Sequence, residues 1–262
     1  MKRTLIMVFV GLLIAACTTS PTGRRQLVIF SDAEMSTMGA TAFDEMKQQT
    51  PVQRDGKVNQ YVTCVADAIT NTLPAEHRGG WEVVVFDEKS ANAFALPGKK
   101  IGVHTGLLKV AKNQDQLASV IGHEVGHVMA QHSAERMSMQ FVSQSSQQII
   151  GALIGEGAGQ QTVMAALGLG SQYGVLMPYG RLQESESDNI GVQLMAQAGF
   201  NPQASIELWH NMAAASQGQP PEFLSTHPSH ETRISDLQAL MPEMQQIYKQ
   251  ARSAGYRPNC TP

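Results

Sequence analysis

The segment Ile121-Gly122-His123-Glu124-Val125-Gly126-His127-Val128-Met129 places two imidazoles four positions apart, with a carboxylate beside the first. In an α-helix residues i and i+4 lie one above the other, so the rings of His123 and His127 share a face and reach one metal ion. Such a pair suits zinc, and Glu124 stands beside it as a base that draws a proton from water. The flanks read as helix. Asn113 and Gln116 have the form of a capping pair, and Leu117, Val120, Ile121, Val125 and Val128 supply apolar positions at helical spacing. The pattern predicts a helix that continues to about Phe141. His132 would then sit about 140° further round than His127, which excludes it as a ligand. A buried helix can also hold two histidines through hydrogen bonds alone. A third ligand elsewhere in the chain separates the two readings.

Working outward, 262 residues with 42% hydrophobic content are enough for one globular domain with a core, or two small ones. A net charge of −3 and a pI near 6.2 carry no basic footprint, so nucleic acid is not an expected partner. The N-terminus starts with Lys2 and Arg3, followed by an apolar run from Leu5 to Ile14 that is too short to span a bilayer. The junction Leu13-Ile14-Ala15-Ala16-Cys17 resembles the lipobox of bacterial lipoproteins. That resemblance implies a signal peptide over residues 1–16, lipidation of Cys17, a lipidated tether over 17–25 and a single domain over 26–262. An ordinary signal peptide that ends in Cys is the alternative. Thr18 after the Cys resembles the outer-membrane sorting pattern, so the expected location is the periplasmic side of the outer membrane, lipid-anchored. Cys64 and Cys260 then remain as an even pair, which an oxidising periplasm lets bridge; two unbridged thiols are the alternative.

Along the chain, Gln26 to Phe30 reads as a short strand. Ser31 and Glu34 form a capping box that opens a helix to about Lys47. A second helix starts near Gly56 and stops before Pro74, and Trp81 to Phe86 reads as a strand. Asn92 to Leu96 and Ile101 to His104, joined by Pro97-Gly98, predict a hairpin just before the metal helix. An unpaired edge there would bind an extended peptide by strand addition, while a purely structural hairpin is the simpler alternative. His104 reads as a surface or packed histidine. Residues 143–180 are rich in Gly, Gln and Ala and read equally as a mobile cover over the cleft or as two short helices packed on the core. Helices follow from about Arg181 to Gly199, after Asn201-Pro202, and from about Ser229 past Pro242.

The third ligand falls in the first of these late helices. Glu184 and Asp188 lie one turn apart on one face, with Glu186 on the other side. A carboxylate that completes a two-His, one-Glu set leaves a fourth zinc position open, and an acid one turn along can fix the tautomer of a ligating histidine. An acidic solvated face is the alternative for this run taken alone.

Taken together, His123-Glu124-x-x-His127, Glu184-x-x-x-Asp188 and Ser225-Thr226-His227-Pro228 with Arg233 following resemble the gluzincin-type zinc metallopeptidases related to HtpX and the CAAX prenyl proteases, in their periplasmic lipoprotein branch. The likeness runs from about Gly23 to Leu240, with Ser187 where the family usually has Ala. It implies one zinc per chain, bound by His123, His127 and Glu184, with Glu124 as catalytic base and Asp188 and Arg233 as supports. It also implies a catalytic His227 that stabilises an oxyanion or fills the open position, and a substrate-edge strand at Asn92, Ala93, Phe94 and Ala95. The expected fold is α+β: a mostly helical zincin-like domain with a small mixed sheet whose edge strand borders the cleft. After the last helix no length remains for a C-terminal repeat domain, which points to the short form of the branch. The resemblance further implies unfolded or misassembled envelope proteins as substrates, contact with the membrane through the lipid, and envelope protease or assembly-machinery partners. A lipoprotein chaperone or assembly factor with a structural or plugged zinc site is the rival from another class. Hydrolysis of a non-peptide envelope polymer is a second rival.

Overall fold

The computed structural model describes residues 17–151, 180–215, 222–227 and 232–261. Two short strands, β1 (Cys17–Thr19) and β2 (Arg25–Leu27), pair antiparallel. Helices α1 (Asp32–Gln49) and α2 (Gly56–Thr70) follow. A capping box between Ser31 and Glu34 opens α1, and the Asp55 side chain caps α2. Strands β3 (Glu82–Phe86), β4 (Ala93–Leu96) and β5 (Lys100–His104) make a mixed sheet of order β3-β5-β4, with β5 parallel to β3 and antiparallel to β4. Strand β4 is therefore an edge. The remaining helices are α3 (Gln114–Met129), α4 (His132–Gly151), α5 (Arg181–Gln197), α6 (Ala204–Ala215), the short α7 (Glu222–Thr226) and α8 (Arg233–Ser253). The protein is α+β and mostly helical. No helix among the described residues is long and apolar enough to cross a membrane.

Helix α3 runs through the middle, packed on α5, α2, α6 and β4. Alternation along the sheet divides the interior in two. Val85, Ala93, Ala95, Ile101 and Val103 join the main core around α3, whereas Phe86, Phe94 and Leu96 turn to Met35 and Phe43 of α1 and to Met137 of α4. The Cys64 and Cys260 sulfurs are bonded. Beside that bond, the Cys260 N–H donates to Gln114 at the start of α3, so the tail clips the metal helix at its beginning.

Two expectations need correction. The helix of the His-Glu-x-x-His segment does not continue to Phe141: it ends at Met129, and Gln131 takes a φ of 54° before α4 begins at His132. The strand expected over Gln26 to Phe30 shrinks to Arg25–Leu27. Residues 17–25, expected as a lipidated tether, form a hairpin that Ser20, Thr22 and Arg24 fix on the body through bonds to Glu186 of α5. The Gly-rich cover expected over 143–180 falls largely on 152–179, outside the described residues.

Candidate metal centre

Helix α3 supplies two donors because its N-cap is set by Asn113, whose side chain accepts from the Gln116 N–H at 2.9 Å. From that start His123 and His127 turn toward α5, one turn apart and buried. Helices α3 and α5 approach backbone to backbone. A Cβ on Gly191 would lie 2.6 Å from the His123 nitrogen, and one on Gly122 would lie 2.8 Å from the Gly191 carbonyl. Only glycines permit this contact. Ser187 adds to it by donating its hydroxyl to the His123 carbonyl, which gives the departure from the usual Ala a part in the packing. The approach brings Glu184 to the histidines, and α7 delivers His227 from the other side.

Four donor atoms meet. His123 Nε2 lies 3.0 Å from His127 Nε2 and 3.2 Å from His227 Nδ1. Glu184 Oε1 lies 3.1 Å from His227 Nδ1 and 3.5 Å from His127 Nε2. All four donors fall within 4.8 Å of one another, and all four residues are buried. Ligands at about 2.0–2.1 Å from one zinc stand roughly 3.3 Å apart when tetrahedral, so neighbouring donors here are close enough to share one ion. Imidazole nitrogens with one carboxylate oxygen are also the donor chemistry that zinc accepts.

The electrostatics agree. Burial opposes ionisation of Glu184, but His227 and His123 outweigh it and hold the carboxyl well below its usual range. Arg233 Nη1 donates to Glu184 Oε2 at 2.7 Å, which keeps Oε1 turned toward the histidines. Burial likewise opposes a charge on His123, yet Asp188 and Glu184 raise its pKa to about 9. The carboxylates therefore draw positive charge to the centre, which a divalent cation satisfies in place of a proton. His127 is held neutral by burial and by the neighbouring histidines, as a ligand must be. Asp188 accepts from Arg233 at 2.6 Å and faces His123 Nδ1 at 2.9 Å. Arg233 also lies 4.2 Å over the Trp209 ring, so the guanidinium is fixed on two sides.

Glu124 points into the same space. Burial raises its pKa, against the pull of His227 and His123, and the Ala95 N–H bonds to the carboxylate. Its Oε1 is buried without a hydrogen-bond partner, 3.3 Å from His227 Nε2 but outside bonding geometry. An orphaned carboxylate oxygen beside a ligand set is where a proton acceptor belongs.

Other residues singled out in the sequence lie outside the donor set. The side chains of Ala93, Phe94 and Ala95 belong to the two cores, and Asn92 is buried, so the β4 side chains cannot read a substrate. Only the backbone edge is left to do so. His104 is no ligand; its Nδ1 pairs with the Ser90 hydroxyl at 2.7 Å. His132 is not among the donors, but its Nδ1 lies 2.8 Å from His127 Nδ1, a contact hidden by the expectation of unbroken helix.

Comparison with known proteins covers this whole site. The model of peptidase family M48 matches residues 53–241. The chain is 37% identical over 174 residues to the mitochondrial metalloendopeptidase OMA1 of Schizosaccharomyces pombe, covering 63% of this chain and 48% of that one. It is 30% identical over 266 residues to the mitochondrial metalloendopeptidase OMA1 of Bos taurus, covering 92% and 49%. With the beta-barrel assembly-enhancing protease of Escherichia coli it shares 27% identity over 226 residues, covering 84% and 46%. The chain thus spans about half the length of the curated relatives it matches. Because the matched span contains α3, Glu184, His227 and Arg233 together, the chain belongs to peptidase family M48.

Proposed function

We propose that this protein is a zinc-dependent endopeptidase of the bacterial cell envelope that cleaves unfolded or misassembled envelope proteins. The observation that carries the reading is the meeting of His123, His127 and Glu184 donors beside the orphaned Oε1 of Glu124. The three donors would hold one zinc per chain. Bound zinc supplies positive charge that polarises a peptide carbonyl and acidifies water. Glu124 Oε1 would take a proton from water and pass it to the leaving amine, a task suited to a carboxyl whose pKa is raised by burial. The Ala95 N–H keeps the carboxylate aimed while the proton is on it. Asp188 and Arg233 hold His123 in place. An extended peptide would lie along the edge of β4, bonded through its backbone.

Placement in the envelope is supported by the N-terminal sequence through Cys17 and by the likeness to the beta-barrel assembly-enhancing protease. In this reading Cys17 carries lipid on the periplasmic side of the outer membrane. Envelope proteases and assembly machinery are then its neighbours. The finer placement, in the lipoprotein branch related to HtpX and the CAAX prenyl proteases, with LoiP and the protease part of BepA, rests on the three quoted motifs.

One observation favours the rival reading. His227 turns Nδ1 to the centre as a fourth donor, and four protein ligands would make a closed, structural zinc site. A chaperone with a plugged site fits that arrangement. Zinc content and casein cleavage of wild type, Glu124→Gln and Glu184→Ala decide between them. We expect one zinc per chain and cleavage for wild type, zinc without cleavage for Glu124→Gln, and loss of both for Glu184→Ala. Zinc binding with no cleavage by wild type, and full complementation of a deletion by Glu124→Gln, would establish the chaperone instead.

A further inference from the structure

The two histidines of α3 are supported in different ways. His123 Nδ1 meets Asp188 directly, and Asp188 ends on Arg233. His127 turns Nε2 to the centre and Nδ1 away from it, to Nδ1 of His132 at 2.8 Å. The other nitrogen of His132, Nε2, lies 3.1 Å from Glu186 Oε2. Glu186 accepts from Arg24 Nε at 2.7 Å on that same oxygen, and from the hydroxyls of Ser20 and Thr22 on the other. His132, Glu186 and Ser20 are buried. Arg24 also grips Glu135 of α4 through both terminal nitrogens, at 2.6 and 2.7 Å.

Proton placement follows from the order of these contacts. An imidazole that offers its Nε2 lone pair to a metal carries its proton on Nδ1. His127 therefore donates from Nδ1, and Nδ1 of His132 has to be bare to accept. The His132 proton then sits on Nε2 and is donated to Glu186. Glu186 has its acceptor places filled by His132, Arg24, Ser20 and Thr22, so it stays an acceptor. Reversing the run would put a proton on the His127 nitrogen that faces the centre.

We infer that His132, Glu186 and Arg24 are positioning residues for the metal ligand His127, and that the N-terminal hairpin completes this relay. The inference rests on the reading of His127 as a zinc ligand. Ser20, Thr22 and Arg24 hold Glu186; Glu186 fixes the tautomer of His132; His132 fixes that of His127. The segment beginning at Cys17 is thereby a working part of the centre, and displacing it loosens one ligand.

Zinc affinity by chelator competition, the visible spectrum of the cobalt(II)-substituted protein and circular dichroism test this on the full chain. The variants are His132→Phe, His132→Gln, Arg24→Met and Arg24→Lys. Loss of an outer hydrogen bond to a ligand weakens metal binding about 10- to 100-fold, the result expected for His132→Phe together with shifted cobalt bands. Glutamine can accept and donate at once, so His132→Gln should recover most of that loss. Arg24→Met should weaken zinc by about 3- to 10-fold, a step further from the metal, and Arg24→Lys should restore it. Wild type that binds no zinc would remove the ligand reading itself. Wild type that binds zinc, with folded His132→Phe and Arg24→Met unchanged in affinity and spectrum, would overturn the relay alone. Equal losses in His132→Phe and His132→Gln would also overturn it, since bulk rather than hydrogen bonding would be at stake. If His132→Phe fails to fold, the Arg24 pair gives the decision.

Discussion

Glu124 sits where burial resists its charge, beside two histidines, His227 and His123, that favour it, with one oxygen bonded to nothing. A group so balanced can take up and release a proton during each turnover. Glu124→Gln keeps the shape and loses the basicity, so zinc stays at one per chain while casein turnover falls by about a hundredfold or more. Metal analysis and initial rates on the same sample check both halves, and loss of zinc would assign Glu124 to binding instead. His227→Ala removes one of four donors and leaves the other three, so one zinc per chain should remain after dialysis. At this scale much of the site was legible. The spacing of His123, Glu124 and His127 is a helix-face pattern, and Glu184-x-x-x-Asp188 repeats the same logic. His132 was not legible, because nothing in Met129-Ala130-Gln131 marks the break: no Gly or Pro stands there, and Gln131 adopts its positive φ with its side chain donating to Asp32, far away in sequence.

At the level of the elements, the contact of α3 with α5 makes the site possible. Gly122 and Gly191 let the two backbones meet, and Glu184 reaches the histidines only because they do. Gly191→Ala forces the helices apart, at a cost of about 1–3 kcal/mol. The expected result is a lower Tm together with weaker zinc binding; an unchanged zinc affinity would show that the centre tolerates the shift. Helix existence could be read from apolar spacing and caps, as the Ser31–Glu34 box and the Asn113 cap illustrate. The pairing of β3 with β5 could not, since a parallel partner depends on contacts remote in sequence. The same limit applies to β4. Asn92 to Leu96 reads as an edge strand, but the burial of both its faces, one by α3 and the other by α1, was not legible.

Taken whole, the described chain is fastened to the body near both of its ends. The tail is joined through Cys64–Cys260 across 196 residues of sequence. Opening that bond should cost about 2–5 kcal/mol, seen as a lower Tm in reductant that Cys64→Ala abolishes by being low already. At the other end Arg24 ties the hairpin to Glu135 and Glu186. Burial alone would raise the Glu135 pKa, but the bonds from Arg24 and Gln183 lower it. Its contribution to stability is therefore present above the ordinary carboxylate pKa of 4.5 and disappears as pH falls through the lower folded value. Glu135→Gln should flatten the acid side of a plot of Tm against pH, and a slope equal to wild type would deny the pair this role. The N-terminal hairpin is also where sequence reading reached least far. Residues 17–25 look like a polar connector, and their order comes from Glu186 and Glu135, both more than a hundred positions away.

The central claim is that His123, His127 and Glu184 hold one zinc. X-ray absorption at the zinc edge, on wild type and Glu184→Ala, measures this most directly. The account predicts one zinc per chain with only nitrogen and oxygen neighbours at about 2.0–2.1 Å, clear imidazole scattering from at least two histidines, and loss of the bound metal in Glu184→Ala. A purified wild type without zinc, or zinc whose neighbours show no imidazole scattering, would contradict it.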